Sequence, residues 1–176
     1  MVEQPTLILG RSGQLVIELA NRFRMDGVAY FAGGRPGIGI SVAGSVTAMN
    51  GRSNVRRVVK AAAYTAVDQA ESEPDLVFSK NADGSACIAS ACAHKDLPLL
   101  CVTTDDVFNG VQSSPYTKSR QTEPIEMYGS PVTRPAKVQL DCGKPEQKFG
   151  VSLPCGKVGV SDIVGALITE MTGSMK

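Results

Sequence analysis

Along the first half of the chain, short apolar runs alternate with stretches of helical spacing. TLIL (6–9) reads as a buried strand, GRSG (10–13) as a turn, and QLVIELANRFR (14–24) as a helix with Leu15, Leu19 and Phe23 along one side. VAYFA (28–32) is the second strand and stops at GGRPG, where glycine and proline punctuate the chain. Residues 41–54 contain Gly44, Gly51 and several Ser and Asn, which weaken any helix there. NVRRVV (54–59) predicts a third strand, although Arg56 and Arg57 suit a central strand badly. Residues 73–95 predict one long helix, with Pro74 near its start and Asp83 and Gly84 as blemishes in its middle. LPLLCVTT (97–104) predicts the fourth strand.

Strands alternating with helices imply βαβ units and a parallel sheet. Ligands of such sheets gather beyond the carboxyl ends of the strands. Those ends are Gly10, Gly33–Arg35, Lys60–Tyr64 and Thr103–Asp106. The pattern then changes: residues 110–137 are rich in Ser, Pro and Thr and carry no periodic element. The chain closes on VGVSDIVGALITEM (158–171), an amphipathic helix with Ser161 as N-cap and Ile163, Leu167 and Met171 one turn apart.

Composition narrows the classes. The 176 residues can bury a real core, and 43% hydrophobic with 20% charged residues is ordinary for a globular protein. A net charge of +1 offers no electrostatic footprint for nucleic acid. No apolar run approaches a membrane span, so no membrane partner and a cytoplasmic location are the expectations. The five cysteines (Cys87, Cys92, Cys101, Cys142 and Cys155) form no C-x-x-C pair. His94 is the single histidine, which removes His-rich metal sites and leaves no metal expected; its position suits a surface residue at a helix end.

Three strand ends carry candidate chemistry. ILGRSGQLV leaves a strand and opens a helix, so Gly10, Arg11, Ser12, Gly13 and Gln14 could present bare backbone and helix-start N–H groups to a pyrophosphate. The same residues would also serve a plain strand–turn–helix, and Val16 stands where a third glycine would allow the closest helix packing. Arg35, after the second strand, offers a guanidinium to a 2′-phosphate where an NAD site would want a carboxylate; a turn arginine in water is the alternative. Ala61, Ala62 and Ala63 would let a flat ligand lie against the backbone beside Tyr64, or form a tight packing turn.

Longer motifs are more specific. AAAYTAVDQAESEPDLVF (61–78), TTDDVFNG (103–110), PYT (115–117) and EPIEMYG (123–129) together resemble the dTDP-4-dehydrorhamnose reductases, a family of extended short-chain dehydrogenases/reductases. That family reads A-A-A-Y-T-x-V-D-x-A-E-x-E, then S-T-D-Y-V-F-D-G, P-Y-x-E and Y-G-x-x-K. RPAKVQLDCGKPEQKFGVSLP (134–154) is similar to the family's C-terminal region. Only residues 130–133 stand where the family has most of its second half.

The resemblance implies an α/β, Rossmann-like, doubly wound parallel sheet, truncated, with a short C-terminal helical remnant of the substrate domain. Residues 1–129 would be the NADP(H)-binding domain and 130–176 the remnant of the substrate-binding region. It implies NADPH, or NADH, as cofactor and reduction of the 4-keto group of dTDP-4-keto-rhamnose, in cell-surface polysaccharide biosynthesis. Thr104 and Tyr128 match the family's catalytic threonine and tyrosine. Its lysine, which would lower the phenol's pKa from one helical turn away, is replaced by Val132, with Pro131 between. Asp106 replaces an aromatic residue, and Lys60 replaces a small or amide residue at the third strand's end and is a candidate partner for that carboxylate. Three readings remain: a reductase, a non-catalytic nucleotide-binding or regulatory partner protein on the same fold, or a decayed truncated copy. An unpaired sheet edge would favour self-association into a homo-oligomer.

Overall fold

A computed structural model describes residues 4–34, 54–104, 107–117, 119–122 and 147. Arg35, the weak 41–53 stretch, Asp105, Asp106, Tyr128, Pro131, Val132, the 134–154 similarity and the C-terminal amphipathic helix lie outside the described residues, apart from Gln147.

Residues cluster into two units: Met1–Val107 with Pro124–Arg134, and Phe108–Glu123 with Pro135–Lys176. The first unit holds a sheet with strands β1 (Thr6–Leu9), β2 (Tyr30–Gly33), β3 (Arg57–Lys60) and β4 (Leu99–Cys101). All pairs are parallel, in the order β2-β1-β3-β4. Helix α1 (Gln14–Met25) joins β1 to β2, and α2 (Val67–Ala70), α3 (Pro74–Phe78) and α4 (Gly84–His94) lie between β3 and β4. The parallel, Rossmann-like α/β architecture is therefore the one expected.

Alternation along the central strands sorts the core. Leu7, Leu9 and Val58 point to one face, where they meet Ile88, Ala91 and Cys92 of α4 together with Val55. Each large apolar side chain buried there contributes about 1.5–3 kcal/mol. Tyr30, in register with Thr6, shares the opposite face with Ile8. There it meets Phe23 of α1, with ring centroids 5.8 Å apart. The buried residues of α1 are Val16 and Ala20, whereas Leu15 is 40% exposed and Leu19 and Phe23 only partly covered. The stripe chosen by helical spacing lies beside the true contact line, which runs through Val16 and Ala20.

Strand β3 is central despite the arginines at its entrance. Arg57 enters at the amino end in register with Thr6, and its Nε–H donates to Thr6 Oγ1 at 2.9 Å. Arg56 precedes the strand and is exposed. The long helix is also present, with one change. Pro74 to His94 is continuously helical, but Ser79–Asp83 forms a π turn between α3 and α4. The blemishes Asp83 and Gly84 mark its end. His94 is exposed in the last turn of α4, with Nδ1 2.7 Å from Ser90 O.

The described part of the second unit is a loop closed on itself. Phe108 and Tyr116 stack with centroids 4.4 Å apart. Tyr116 is buried, and its hydroxyl donates to Asn109 Oδ1 at 2.9 Å. Gln112 Nε2 donates to the carbonyls of Ser114 (2.8 Å) and Pro115 (3.1 Å). The PYT motif thus anchors a loop through its ring.

Candidate functional site

The carboxyl edge of the sheet is built around Gly10. Its φ of +153° is rarely adopted by residues with side chains, and a Cβ there would lie 2.5 Å from Val16 Cγ2. Both constraints demand glycine. Val16 is almost fully buried, so it closes the β1–α1 junction rather than loosening it. Gly10 N–H donates to Gly33 O at 2.8 Å, which ties the ends of β1 and β2 together. Gly34 packs on Arg11, where an added Cβ would meet Arg11 Cβ at 3.1 Å.

Beyond Gly10, Arg11, Ser12, Gly13 and Gln14 are all exposed. Gly13 is the extended N-cap of α1, offers no side-chain cap, and would have nothing within 4 Å of an added Cβ. The first turn of α1 carries no acidic residue. A helix start with uncapped N–H groups, no local carboxylate and free space beside its glycine is suited to an anion.

The second wall is the chain leaving β3. Ala61 N–H and Ala62 N–H both donate to Leu9 O, at 3.0 and 2.8 Å. This fork brings Ala62 N to 3.6 Å and Ala61 C to 3.7 Å from where a Gly10 Cβ would be. Ala61 and Ala62 are half-buried and Ala63 is exposed. Gly10, Ala61 and Ala62 therefore form one floor of nearly bare backbone.

Tyr64 is held from outside that floor. Asn81, in the π turn, accepts from Tyr64 N–H through Oδ1 at 2.8 Å and donates from Nδ2 to Tyr64 O at 3.2 Å. The phenol donates to Glu73 Oε2 at 2.7 Å, and Lys80 Nζ sits 4.6 Å from the ring centroid. The hydrogen bond to Glu73 is the main cause that raises the phenol's pKa above its ordinary value, followed by burial and the carboxylate's charge. Tyr64 fixes the loop's exit while its hydroxyl is already engaged.

Strand β4 ends at Cys101, short of the expected Thr104, and Val102 N–H continues the pairing with Lys60 O at 3.1 Å. Thr103 and Thr104 are exposed beyond it. Of the expected site residues, the structure brings Gly10, Ala61 and Ala62 together beside Arg11–Gln14 at the start of α1, with Thr104 past the neighbouring strand; Arg35 and Tyr128 lie outside the described residues. Glu73, Lys80 and Asn81 escaped sequence reasoning. The signal for Asn81 was a poor helix former placed just before Asp83-Gly84. Among the described residues, no group of three or more His, Cys, Asp or Glu could hold a metal ion.

Comparison with known proteins matches the chain to a family. The profile described as RmlD substrate binding domain covers residues 4–132. The chain belongs to that family. It is 36% identical over 122 residues to a dTDP-4-dehydrorhamnose reductase of Sinorhizobium fredii, covering 69% of this chain and 41% of that protein. It is 37% identical over 123 residues to the enzyme of that name from Streptomyces griseus, covering 70% of this chain and 40% of that one. Among solved structures, the dTDP-4-dehydrorhamnose reductase of Bacillus anthracis in complex with NADP superposes with a TM-score of 0.67 at 28% identity, covering 72% of this chain and 45% of that one. The chain thus spans about two fifths of the length of these curated relatives. The matched span includes the Gly10 turn, Lys60 and the Ala61–Ala63 backbone. No helix among the described residues is long and apolar enough to cross a membrane.

Proposed function

We propose that this chain binds NADPH along the Gly10–Ala61–Ala62 floor and is a dTDP-4-dehydrorhamnose reductase-type oxidoreductase acting on the 4-keto group of dTDP-4-keto-rhamnose. The observation that carries the reading is the juxtaposition of the bare floor with the uncapped start of α1. The residues fit the cofactor: Arg11–Gln14 would take the pyrophosphate, Ala61–Ala63 a flat ring, and Arg35 the 2′-phosphate, with NADH as the weaker alternative. Bound NADPH would supply the hydride for carbonyl reduction. Thr104 would hydrogen-bond the sugar's C4 oxygen, and Tyr128 would deliver its proton there. Short-chain dehydrogenase/reductase chemistry in a cytoplasmic setting, a nucleotide-binding part over 1–129 and a substrate-region remnant over 130–176 complete the proposal.

Titration of NADPH fluorescence with the protein tests the first step, and absorbance loss in the presence of dTDP-4-keto-rhamnose tests the second. Turnover is expected to fall at least tenfold in Tyr128→Phe, a general-acid contribution being worth about 100-fold or more. Turnover unchanged in that variant removes Tyr128 as proton donor.

A second reading has its own observation. Val132 cannot supply the cation that would activate a phenol, and Pro131 disfavours the helix that would present one. A non-catalytic nucleotide-binding or regulatory protein would bind NADPH and show no turnover. Absence of binding at millimolar cofactor would leave a decayed copy. Self-association is part of the same proposal: Leu100 on β4, an edge strand among the described residues, is 61% exposed, and a second copy would cover it. A clean monomer on size exclusion removes that element.

A further inference from the structure

Lys60 closes β3 with its side chain turned inward. The residue is 2% exposed, and its Nζ donates to Ala62 O at 2.9 Å, its one hydrogen bond among the described residues. Burial of an ammonium is costly unless its donors are used. The accepting residue is also the one whose N–H donates to Leu9 O at 2.8 Å. Ala62 is therefore gripped from both sides, by the β1 carbonyl at its nitrogen and by the β3 ammonium at its oxygen. That grip sets the height of the floor, because Ala62 N lies 3.6 Å from the position a Gly10 Cβ would take.

We propose that Lys60 is a positioning residue for cofactor binding: its Nζ–H···O bond to Ala62 fixes the 61–63 backbone against Gly10 in the geometry that receives the ligand. The alanines have no side chains with which to hold themselves in place. An ammonium at the strand end performs by hydrogen bonding what a packed side chain would otherwise do by contact. The functional consequence rests on the NADPH reading, whereas the grip itself does not.

The test uses the full chain and two variants. Lys60→Met keeps much of the stem and removes the donor; Lys60→Gln keeps an N–H donor without the charge. Amide hydrogen exchange at Ala61 and Ala62 is read first, without cofactor, and NADPH affinity second. Lys60→Met is expected to speed exchange at both amides about tenfold and to weaken NADPH about tenfold, as befits loss of a hydrogen bond from a charged donor. Lys60→Gln is expected to stay within about threefold of the native chain in both readings. Native exchange rates at Ala61 and Ala62 in Lys60→Met would overturn the proposal. So would Lys60→Gln exchanging as fast as Lys60→Met, since the charge or the stem would then be the working part. Faster exchange with unchanged NADPH affinity would overturn the positioning role. If Lys60→Met fails to fold, Lys60→Gln decides alone: native-like exchange supports the grip and accelerated exchange overturns it. A native chain that binds no NADPH sinks the cofactor reading, and the exchange data still decide the grip.

Discussion

Asn81 holds Tyr64 by both polar groups of its backbone, accepting from N–H at 2.8 Å and donating to C=O at 3.2 Å. The two residues lie 17 positions apart, so the pair bolts the loop after β3 onto the helix that follows it. The π turn Ser79–Asp83 is what lets a helical side chain serve a loop in this way. From one turn further along the helix, Ser85 Oγ–H donates to Asn81 O at 2.5 Å.

Asn81→Ala should therefore destabilise the chain by about 1–3 kcal/mol, because two partly buried backbone groups lose their partner. Urea unfolding measures the loss. Tyr64→Phe, which leaves the backbone bonds intact, should cost less than Asn81→Ala. Equal costs for the two would mean that the phenol and not the clamp ties down the loop.

Gly10 and Val16 should behave as a coupled pair. Gly10→Ala places a Cβ 2.5 Å from Val16 Cγ2 at a φ of +153°, so it should cost roughly 2–4 kcal/mol through overpacking and backbone strain together. Val16→Ala relieves the overlap but not the strain. The double variant should be more stable than the sum of the single losses allows, by about 0.5–3 kcal/mol. Strict additivity would show that the helix shifts to make room and that the junction is softer than its burial implies.

Much of this architecture was legible in the chain. TLIL, the turn after it, the helix over 14–24 and the parallel order followed from periodicity and from strand–helix alternation, because those patterns express burial directly. The face of α1 did not follow. Leu15 and Phe23 are larger than Val16 and Ala20, but the line through Val16, which meets Gly10, is the one that is buried. The arginines of β3 looked wrong for a central strand because periodicity alone does not reveal that Arg57 meets Thr6 at the strand's entrance. In the candidate site, the floor residues were found from their smallness. The groups that hold them (Lys60, Glu73, Lys80 and Asn81) act across the loop–helix connection, where spacing along the chain says little about contact. Lys60 stood out in the sequence as a departure at the third strand's end and as a candidate partner for Asp106, which lies outside the described residues; among those residues its bond runs to the backbone two positions on.

Cysteine reactivity should follow burial. Cys101 is exposed at the end of β4, Cys87 is half-buried and Cys92 is buried. Burial pushes the Cys92 thiol above its ordinary pKa, so less thiolate is present at neutral pH. Brief treatment of the native chain with iodoacetamide, followed by peptide mass spectrometry, should label Cys101 at least tenfold faster than Cys92. Comparable rates for the two would show that α4 opens from the sheet under native conditions.

The bond between Tyr64 and Glu73 gives the chain an alkaline signature. The phenol, normally titrating near pH 10, is raised by its hydrogen bond to the carboxylate first, then by burial and the carboxylate's charge. The folded state therefore holds this proton more tightly than the unfolded chain. Its contribution to stability is complete below about pH 10 and is lost as pH rises through the folded pKa. Urea unfolding between about pH 9 and 11 should show native stability falling more steeply than in Glu73→Gln, where the charge is gone. The chain has four tyrosines, so the absorbance difference between native protein and Tyr64→Phe isolates the one concerned. That difference titration should move to lower pH when the comparison is repeated in the Glu73→Gln background. If it stays in place, the 2.7 Å bond does not persist in solution, and the loop after β3 must be held by Asn81 and Lys60 without the phenol's help.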